Sequence, residues 1–273
     1  MDDQYRGYFK KDYVSDQKKL AQNWELAVGL QAVDGLEPSD YLIQVAKEQI
    51  SGGISYERVH ELLYAHYEQE TAEERNERQR ECDLVSARIA DYLGNHSFSL
   101  GPETLRSMHR YLFEGIFDHA GQFRKYNITK KEPILGGRSV VYADYRNVRE
   151  TLAYDFREEK EYDYRGLCPQ KLVRHMAKFI SDIWQVHPFM EGNTRTTALF
   201  TECYLNSIGY ELDNEMFAGH AKYFRNALVR ANYADFQKGI YAEHRYLEQF
   251  FENLMYQKTH VLRNRDLIIH EIQ

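Results

Sequence analysis

The sequence lacks the features that would place it among secreted, disulfide-bonded or membrane proteins. Only three cysteines occur in 273 residues, and Cys82, Cys168 and Cys203 are too widely spaced for a zinc site or a disulfide framework. No run of 18 apolar residues occurs, so no transmembrane helix is expected. The N-terminal stretch has no hydrophobic core of the secretory type. These absences predict a cytoplasmic protein without a membrane partner.

An excess of positive charge is also missing. The 35 lysines and arginines are outnumbered by 42 aspartates and glutamates, which gives a formal net charge of −7. Nucleic acid attracts basic surfaces, so it is not expected as the main partner of this chain. The hydrophobic fraction of 43% is typical of a globular protein, and the chain is long enough to bury a sizeable core.

Proline is scarce as well, with five residues, and apolar residues recur at the three-to-four spacing of helices with one buried face. This pattern runs over residues 170–185 and again over 196–208. We therefore predict an all-α helical bundle with one small β-hairpin. The hairpin is expected where the Gly136-Gly137 turn separates β-branched and aromatic residues.

The loop between those two predicted helices, from His187 to Arg195, reads HPFMEGNTR and contains an unusual set of polar residues. His187 can accept a proton from a hydroxyl near neutral pH. The Gly192-Asn193 turn starts a helix, whose unpaired N–H groups and dipole favour an anion. Arg195 adds a forked donor for phosphate, and Glu191 offers a carboxylate for Mg²⁺ beside the phosphates. The set predicts transfer of a phosphorus group from a nucleotide to a hydroxyl.

The run HPFMEGNTR resembles the signature of the Fic (filamentation induced by cyclic AMP) family, H-x-F-x-[D/E]-G-N-x-R. The family's usual reaction is AMPylation, in which AMP moves from ATP to a tyrosine, threonine or serine hydroxyl of a target protein and pyrophosphate leaves. The resemblance implies that His187 is the general base, that Phe189 anchors the loop and that Glu191 binds Mg²⁺. It further implies a phosphate-binding set formed by Gly192, Asn193, Thr194 and Arg195.

Two positions depart from the family pattern. The phosphate-transferring branch called Doc has a lysine where this chain has Thr194, which disfavours phosphate transfer. Many members have a second arginine that contacts the γ-phosphate, and here Ala198 occupies that position. Two alternatives to AMP transfer from ATP therefore stay open. One is a different donor, such as UTP, GTP or a phosphocholine-bearing nucleotide, and the other is a nucleotide- or peptide-binding module that has lost catalysis.

The predicted hairpin resembles the target-docking flap of Fic proteins, which holds a loop of the target so that its hydroxyl meets the base. An extended peptide can add to an exposed strand edge by main-chain pairing. The candidate docking residues are Ile134, Leu135, Val140 and Val141. The alternative is a structural hairpin that closes the bundle.

Two residues of a later predicted helix are candidates for binding the nucleotide base. Tyr223 could stack on the base and Asn226 could form hydrogen bonds with it, since this stretch resembles the part of Fic proteins near the base. Packing in the core explains the aromatic residues of the stretch equally well.

Residues 1–70 are predicted as a helical lid in front of a Fic catalytic domain over residues 71–273. The lid resembles the inhibitory antitoxin of some Fic proteins, whose motif [S/T]-x-x-x-E-[G/N] supplies an inhibitory glutamate. This chain offers Asp34 before Gly35 at that place, so Asp34 is the candidate inhibitory residue. A plain helix-ending Asp-Gly turn is the equal alternative. The sequence also leaves a homodimer open.

Overall fold

The computed structural model describes residues 7–9, 14–69, 76–212 and 215–269. Ten α-helices lie in these residues, and the only β-pairings within them are two isolated bridges. The predicted all-α fold is therefore confirmed. The described residues form two compact units: one holds Phe98–Leu212 and 222–269, and the other holds the described residues up to Ser97 with 215–221. None of the described helices combines the length and hydrophobicity that spanning a bilayer requires.

The N-terminal unit is built on four helices. They are α1 (Ser15–Gly29), α2 (Asp40–Ile50), α3 (Tyr56–Gln69) and α4 (Glu77–Asn95). The fourth helix packs along α1 and against α3. Its Asp83 is fully buried and accepts hydrogen bonds from the Ser39 N–H at 3.0 Å and the Tyr67 hydroxyl at 2.7 Å. Because Ser39 also caps α2 by accepting the Leu42 N–H, one buried carboxylate links the start of α2 to α3 and α4.

Asp34 ends a short 3₁₀ helix, Leu30–Asp34, that follows α1. Gly35 closes it with a left-handed φ of 65°, and its N–H donates to Ala32 O at 3.1 Å. The Arg78 guanidinium donates to the carbonyl of Asp34 at 2.9 Å. The predicted Asp-Gly stop is thus confirmed as a turn held by main-chain atoms.

The predicted domain boundary, between residues 70 and 71, lies outside the described residues and stays a prediction. The helix that follows, α4, begins at Glu77, where the Asn76 side chain accepts the Gln79 N–H at 3.2 Å. By its packing this helix lies with α1 and α3 in the N-terminal unit.

The larger unit contains the two helices that flank the HPFMEGNTR loop. Its helices are α5 (Pro102–Phe113), α6 (Val148–Glu161), α7 (Pro169–Val186), α8 (Asn193–Ser207), the second part of α9 (Glu215–Ala231) and α10 (Arg245–Tyr256). Helix α7 packs against α6, α8 and α10, and α8 also packs against α5. The first ten residues of α8, 193–202, are all buried. A helix buried on every side keeps its N-terminus fixed, so the loop before it is firmly positioned.

The predicted β-hairpin takes a different form. The turn is where it was predicted, with Gly136 and Gly137 at φ values of 64° and 84°, but the flanking residues form no strands. A 3₁₀ turn, Pro133–Leu135, precedes the glycines, and one antiparallel bridge joins Glu132 to Arg138. The physical reason is Pro133, because a proline has no N–H for a β-ladder and its fixed φ suits the start of a turn. We refer to residues 132–142 as the flap.

Candidate active site

The loop begins at His187, which ends helix α7 in the left-handed conformation, with φ 49° and ψ 60°. Its N–H donates to Trp184 O at 3.0 Å. A residue with a Cβ pays about 1–2 kcal/mol for this backbone region. The surrounding structure must therefore hold His187 in place, and such strain is common where a side chain is aimed for function.

The His187 side chain is 3% exposed, and neither ring nitrogen has a hydrogen-bond partner among the described residues. Its ring packs 4.1 Å from the Tyr142 ring and edge-on to Trp184 at 5.3 Å. Burial disfavours the imidazolium and lowers the pKa of His187 well below its ordinary value, and the nearby Lys130 charge lowers it further. His187 is thus a neutral imidazole with a lone pair that no described group uses.

Asn193 and Phe189 close the loop on itself. The Asn193 Oδ1 accepts the Phe189 N–H at 2.9 Å, and the Asn193 Nδ2 donates to Phe189 O at 2.8 Å. Phe189 is buried and stacks on His109, with ring centroids 3.8 Å apart. Its predicted role as the anchor of the loop fits these contacts. The Asn193 amide is thus used within the loop.

Gly192 is the N-cap of α8, and its φ of 75° favours glycine. A Cβ at this position would lie 2.4 Å from a ring carbon of Phe113. The N–H groups of the first turn of α8 have no acceptor within the helix. Only glycine therefore allows the chain to present this helix start so close to the Phe113 ring.

The first turn of α8 contains Thr194 and Arg195, both buried. The Thr194 hydroxyl accepts the indole N–H of Trp184 at 3.0 Å and thereby joins α8 to α7. The Arg195 guanidinium lies 4.8 Å from the centre of the Phe113 ring, a cation–π arrangement. Both side chains are thus fixed by packing beside the helix N-terminus.

Glu191 is the exposed carboxylate of the loop, with 56% of its side chain accessible. Its Oε2 pairs with Lys130 Nζ at 2.7 Å. The described residues contain no cluster of three or more side chains that could hold a metal by themselves. A single carboxylate suits Mg²⁺ because this ion usually binds through one or two carboxylates and completes its shell with water and substrate phosphates.

His109 was not among the predicted site residues, yet it contacts the loop at Phe189 and Glu191. Its Nδ1 accepts the Gly121 N–H at 2.9 Å, and its Nε2 lies 3.0 Å from the carbonyl oxygen of Glu191. Since Nδ1 accepts, Nε2 carries the proton and donates. Burial lowers the pKa of His109 to about 3, so the ring stays neutral. Nothing in the sequence distinguishes this histidine from others on an amphipathic helix.

Tyr223 and Asn226 are both engaged in packing. Tyr223 is 1% exposed, and its hydroxyl donates to Tyr246 O at 3.3 Å. Asn226 donates to the Asn264 side chain at 2.8 Å. Tyr223 therefore presents no exposed ring face on which a base could stack, and the core interpretation accounts for its position.

Of the four candidate docking residues in the flap, only Val141 is exposed, at 82%. Ile134, Leu135 and Val140 are buried. The Ile134 carbonyl accepts the Ile269 N–H at 2.9 Å, so part of the expected free edge is already paired. Val141 is thus the one accessible side chain among the four candidates.

The base of the flap is fixed by a buried ion pair that the sequence did not reveal. Both Glu132 carboxylate oxygens accept from the Arg225 guanidinium, at 2.7 and 3.1 Å. Glu132 is fully buried. A bidentate pair of this kind has a fixed geometry, so it sets the position of the flap relative to α9.

Part of this chain is similar to known proteins. Residues 97–205 match the family described as the Fic/DOC family. This segment of the chain is a Fic domain. It contains α5 to α8 up to Leu205 and the whole of the HPFMEGNTR loop.

Two curated relatives are similar to part of this chain. A probable protein adenylyltransferase, y4lH, from Sinorhizobium fredii is 26% identical over 126 residues, covering 46% of this chain and 62% of the relative. A probable protein adenylyltransferase, Fic, from Escherichia coli K12 is 31% identical over 108 residues, covering 40% of this chain and 51% of the relative. The chain thus spans between about half and three-fifths of the length of these relatives.

Among solved structures, the BepC protein of Bartonella tribocorum, a VirB-translocated effector crystallised with bound AMPPNP, is also similar. It is 16% identical, with a TM-score of 0.49, and the match covers 74% of this chain and 89% of that one.

Proposed function

We propose that this protein is a protein adenylyltransferase that moves AMP from ATP to a serine, threonine or tyrosine hydroxyl of a target protein. The observation that carries the proposal is His187, a buried neutral imidazole whose two ring nitrogens have no partner among the described residues. Burying a polar ring without partners is costly, so such a group is usually kept for function. It lies five positions before Gly192, the N-cap of the helix start to which we assign phosphate binding.

The reaction then follows from the arrangement of the loop. A His187 ring nitrogen takes the proton of the target hydroxyl, and the oxygen forms a bond to the α-phosphorus of ATP. The bond between that phosphorus and the bridging oxygen breaks, and pyrophosphate leaves with the electron pair. An imidazole that is neutral over the whole physiological range is ready to accept a proton, which is the requirement for a general base.

Charge on the leaving pyrophosphate is met by the first turn of α8. Its main-chain N–H groups and the positive end of the helix dipole attract anions. Arg195 adds a permanent positive charge and is held against Phe113, so little reorganisation is needed during the reaction. Oriented donors of this kind stabilise the transition state more than mobile surface lysines would.

Glu191 is the residue that would hold Mg²⁺. A bound Mg²⁺ neutralises charge on the transferring and leaving phosphate groups. Glu191 is accessible and belongs to the same loop as the helix start, and its present partner, Lys130, is a cation that a metal could replace. The donor set fits a metal that arrives with the nucleotide.

Ala198 supports the second candidate function, transfer from another nucleotide. It is fully buried on α8, at the position where many Fic proteins have an arginine for the γ-phosphate. Without that arginine, the preference for one pose of the triphosphate is weaker. A test incubates the purified chain with Mg²⁺ and each of four α-labelled nucleoside triphosphates. The proposal expects most label from ATP, whereas strongest label from UTP or GTP would favour the second candidate. Binding without any label would favour a non-catalytic module.

Lys130 provides a prediction on pH dependence. Its charge lowers the pKa of His187, so Lys130→Met should raise that pKa. Because the neutral imidazole is the active form, the acid side of the profile of kcat/KM against pH should move to higher pH in Lys130→Met. The profile is measured by label transfer at saturating Mg²⁺.

Lys131→Met serves as the matched control, because Lys131 is the exposed neighbour and does not pair with Glu191. Its profile should coincide with that of the wild type. Identical profiles for all three proteins would contradict the assignment of His187 as the titrating base.

Whether Asp34 restrains the reaction stays a prediction. If the N-terminal helices inhibit through this carboxylate, Asp34→Ala should raise label transfer several-fold. The turn itself depends on hydrogen bonds to main-chain carbonyls, including that from the Arg78 guanidinium to the Asp34 carbonyl, which alanine retains. Glu48→Ala, an exposed carboxylate on α2, is the control. Equal activity of Asp34→Ala and the wild type would leave Asp34 as a helix-ending residue only.

A further inference from the structure

Arg124 is a buried arginine whose hydrogen bonds reach both the end of helix α7 and the segments around the flap. Its side chain is almost inaccessible, at 3%. The Nε donates to His187 O at 2.8 Å, and Nη2 donates to Val186 O at 3.2 Å. These two acceptors are the last carbonyls of the helix that ends at the proposed base.

The same guanidinium also binds the chain on either side of the flap. Its Nη1 donates to Tyr126 O at 2.9 Å and to Asn127 Oδ1 at 3.4 Å, and Nη2 donates to Ala143 O. None of the acceptors of the guanidinium is a carboxylate. Arg124 therefore donates to several acceptors at once, most of them main-chain carbonyls, which its planar fork of five N–H groups allows and a lysine would not.

The bonds to α7 act on the backbone of His187 itself. Carbonyls at a helix C-terminus have no partner within the helix and form the negative end of its dipole, so a cation there is favourable. The Arg124 side chain binds the carbonyl of His187, and its main-chain N–H donates to Pro188 O at 2.8 Å. Arg124 thus binds the carbonyls of Val186, His187 and Pro188. These hydrogen bonds offset the cost of the left-handed conformation at His187.

We propose that Arg124 is a positioning residue that holds His187 in its left-handed conformation and fixes the chain segments before and after the flap against it. Its importance for catalysis rests on the proposed transfer reaction. Arg124 binds both the backbone of His187, the proposed base, and the segments that flank the flap, which would present the target hydroxyl. Loss of the Arg124 guanidinium should therefore displace His187 relative to the flap. Nothing in Arg124's contacts involves the start of α8, which is expected to bind the phosphates.

The kinetic test compares Arg124→Gln and Arg124→Lys with the wild type. A displacement of about 1 Å from the reacting geometry can cost about 10²-fold in rate. We expect kcat for label transfer to fall by about that factor in Arg124→Gln, whereas the nucleotide Kd from calorimetry should stay within about threefold. Arg124→Lys keeps the charge but lacks the fork, so it should recover less than a tenth of the lost rate. Arg106→Gln, an exposed arginine on α5, is the control.

A second readout does not depend on the reaction. NMR titration of the His187 ring follows its environment directly, and the cations that act on its pKa are Lys130, Arg225 and Arg124. In the wild type the ring should stay neutral far below the ordinary pKa of histidine, because burial disfavours the charged form. In both Arg124 variants the released ring should reach solvent and titrate nearer to its ordinary value. If Arg124→Gln does not fold, Arg124→Lys alone provides both readouts.

The outcomes separate the two proposals. An altered His187 titration in the variants, with no label transfer even by the wild type, would support the positioning role and overturn the proposed function. A kcat and a His187 titration that both match the wild type would overturn the positioning role. A variant can also transfer label more slowly only because less of it is folded. If kcat per nucleotide-binding site and the His187 titration are then unchanged, the positioning role is overturned as well.

Discussion

Replacing His187 with alanine is expected to lower label transfer from α-labelled ATP by about 10²–10⁴-fold, the usual contribution of a positioned general base. Nucleotide affinity should change little, because the first turn of α8 and Arg195 remain. The ring is buried against Tyr142 and Trp184, so its removal leaves a small cavity but no unpaired charge. Single-turnover labelling measures the chemical step, and calorimetry measures nucleotide binding.

His96→Ala, which removes an exposed histidine at the end of α4, should transfer label at the wild-type rate. Undiminished transfer by His187→Ala would mean that another group, or solvent, takes the proton of the target hydroxyl. That result would contradict the assignment of His187 as the general base.

Gly192→Ala is the second substitution for which we expect a large effect. A Cβ at this position would lie 2.4 Å from a ring carbon of Phe113, and φ is 75°. Overpacking costs about 1–3 kcal/mol, and a left-handed φ adds about 1–2 kcal/mol for a residue with a side chain. The Phe113 ring must move, and the Arg195 guanidinium that packs over it must move as well. We therefore expect a loss of several kcal/mol in the free energy of unfolding by denaturant, and a nucleotide Kd raised at least about tenfold.

Gly209→Ala, just after the other end of α8, is the matched control. Its φ is 94°, but a Cβ there would have no neighbour within 4 Å. Gly209→Ala should lower the free energy of unfolding only by the cost of the left-handed backbone, about 1–2 kcal/mol, and leave the nucleotide Kd unchanged. Equal losses of stability and equal affinities in the two variants would show that the contact with Phe113 is unimportant.

The helices on either side of the active-site loop could be predicted from the sequence because their apolar spacing is strong. The pattern over residues 170–185 corresponds to α7, Pro169–Val186, and the pattern over 196–208 corresponds to α8, Asn193–Ser207. The start of α8 was also indicated by Gly192, whose positive φ marks the end of the loop. Local chemistry thus determines where the loop lies and which helix start it presents.

The flap could not be predicted in the same way, because its conformation depends on distant partners. The apolar pair Ile134 and Leu135 suits a strand by composition, yet both residues are buried beside Pro133, and the Ile134 carbonyl accepts the N–H of Ile269, far along the chain. A short apolar run does not by itself distinguish a strand from a buried turn. The exposed Val141 is the one predicted docking side chain that is accessible to a target.

The supporting charges were also beyond the reach of sequence analysis. Arg124, Lys130 and Glu132 lie in a polar stretch that is typical of solvent-exposed loops, and their partners are distant in the chain. Only the folded structure shows that Arg124 and Glu132 are buried. A buried charge is stable only when partners surround it. The partners of these residues are distant in the sequence, so a local sequence pattern does not indicate them.

The most direct test of the account is labelling of a cell lysate by the purified protein, with Mg²⁺ and ATP labelled either at the α- or at the γ-phosphate. AMP transfer retains the α-phosphate on the target and releases the γ-phosphate with pyrophosphate. The account predicts α-label that stays on protein bands through denaturing electrophoresis, no γ-label, and loss of the α-label with His187→Ala. Mass spectrometry should place the adduct on a hydroxyl side chain. Label from the γ-phosphate, or no label from either position, would contradict the proposed adenylyl transfer.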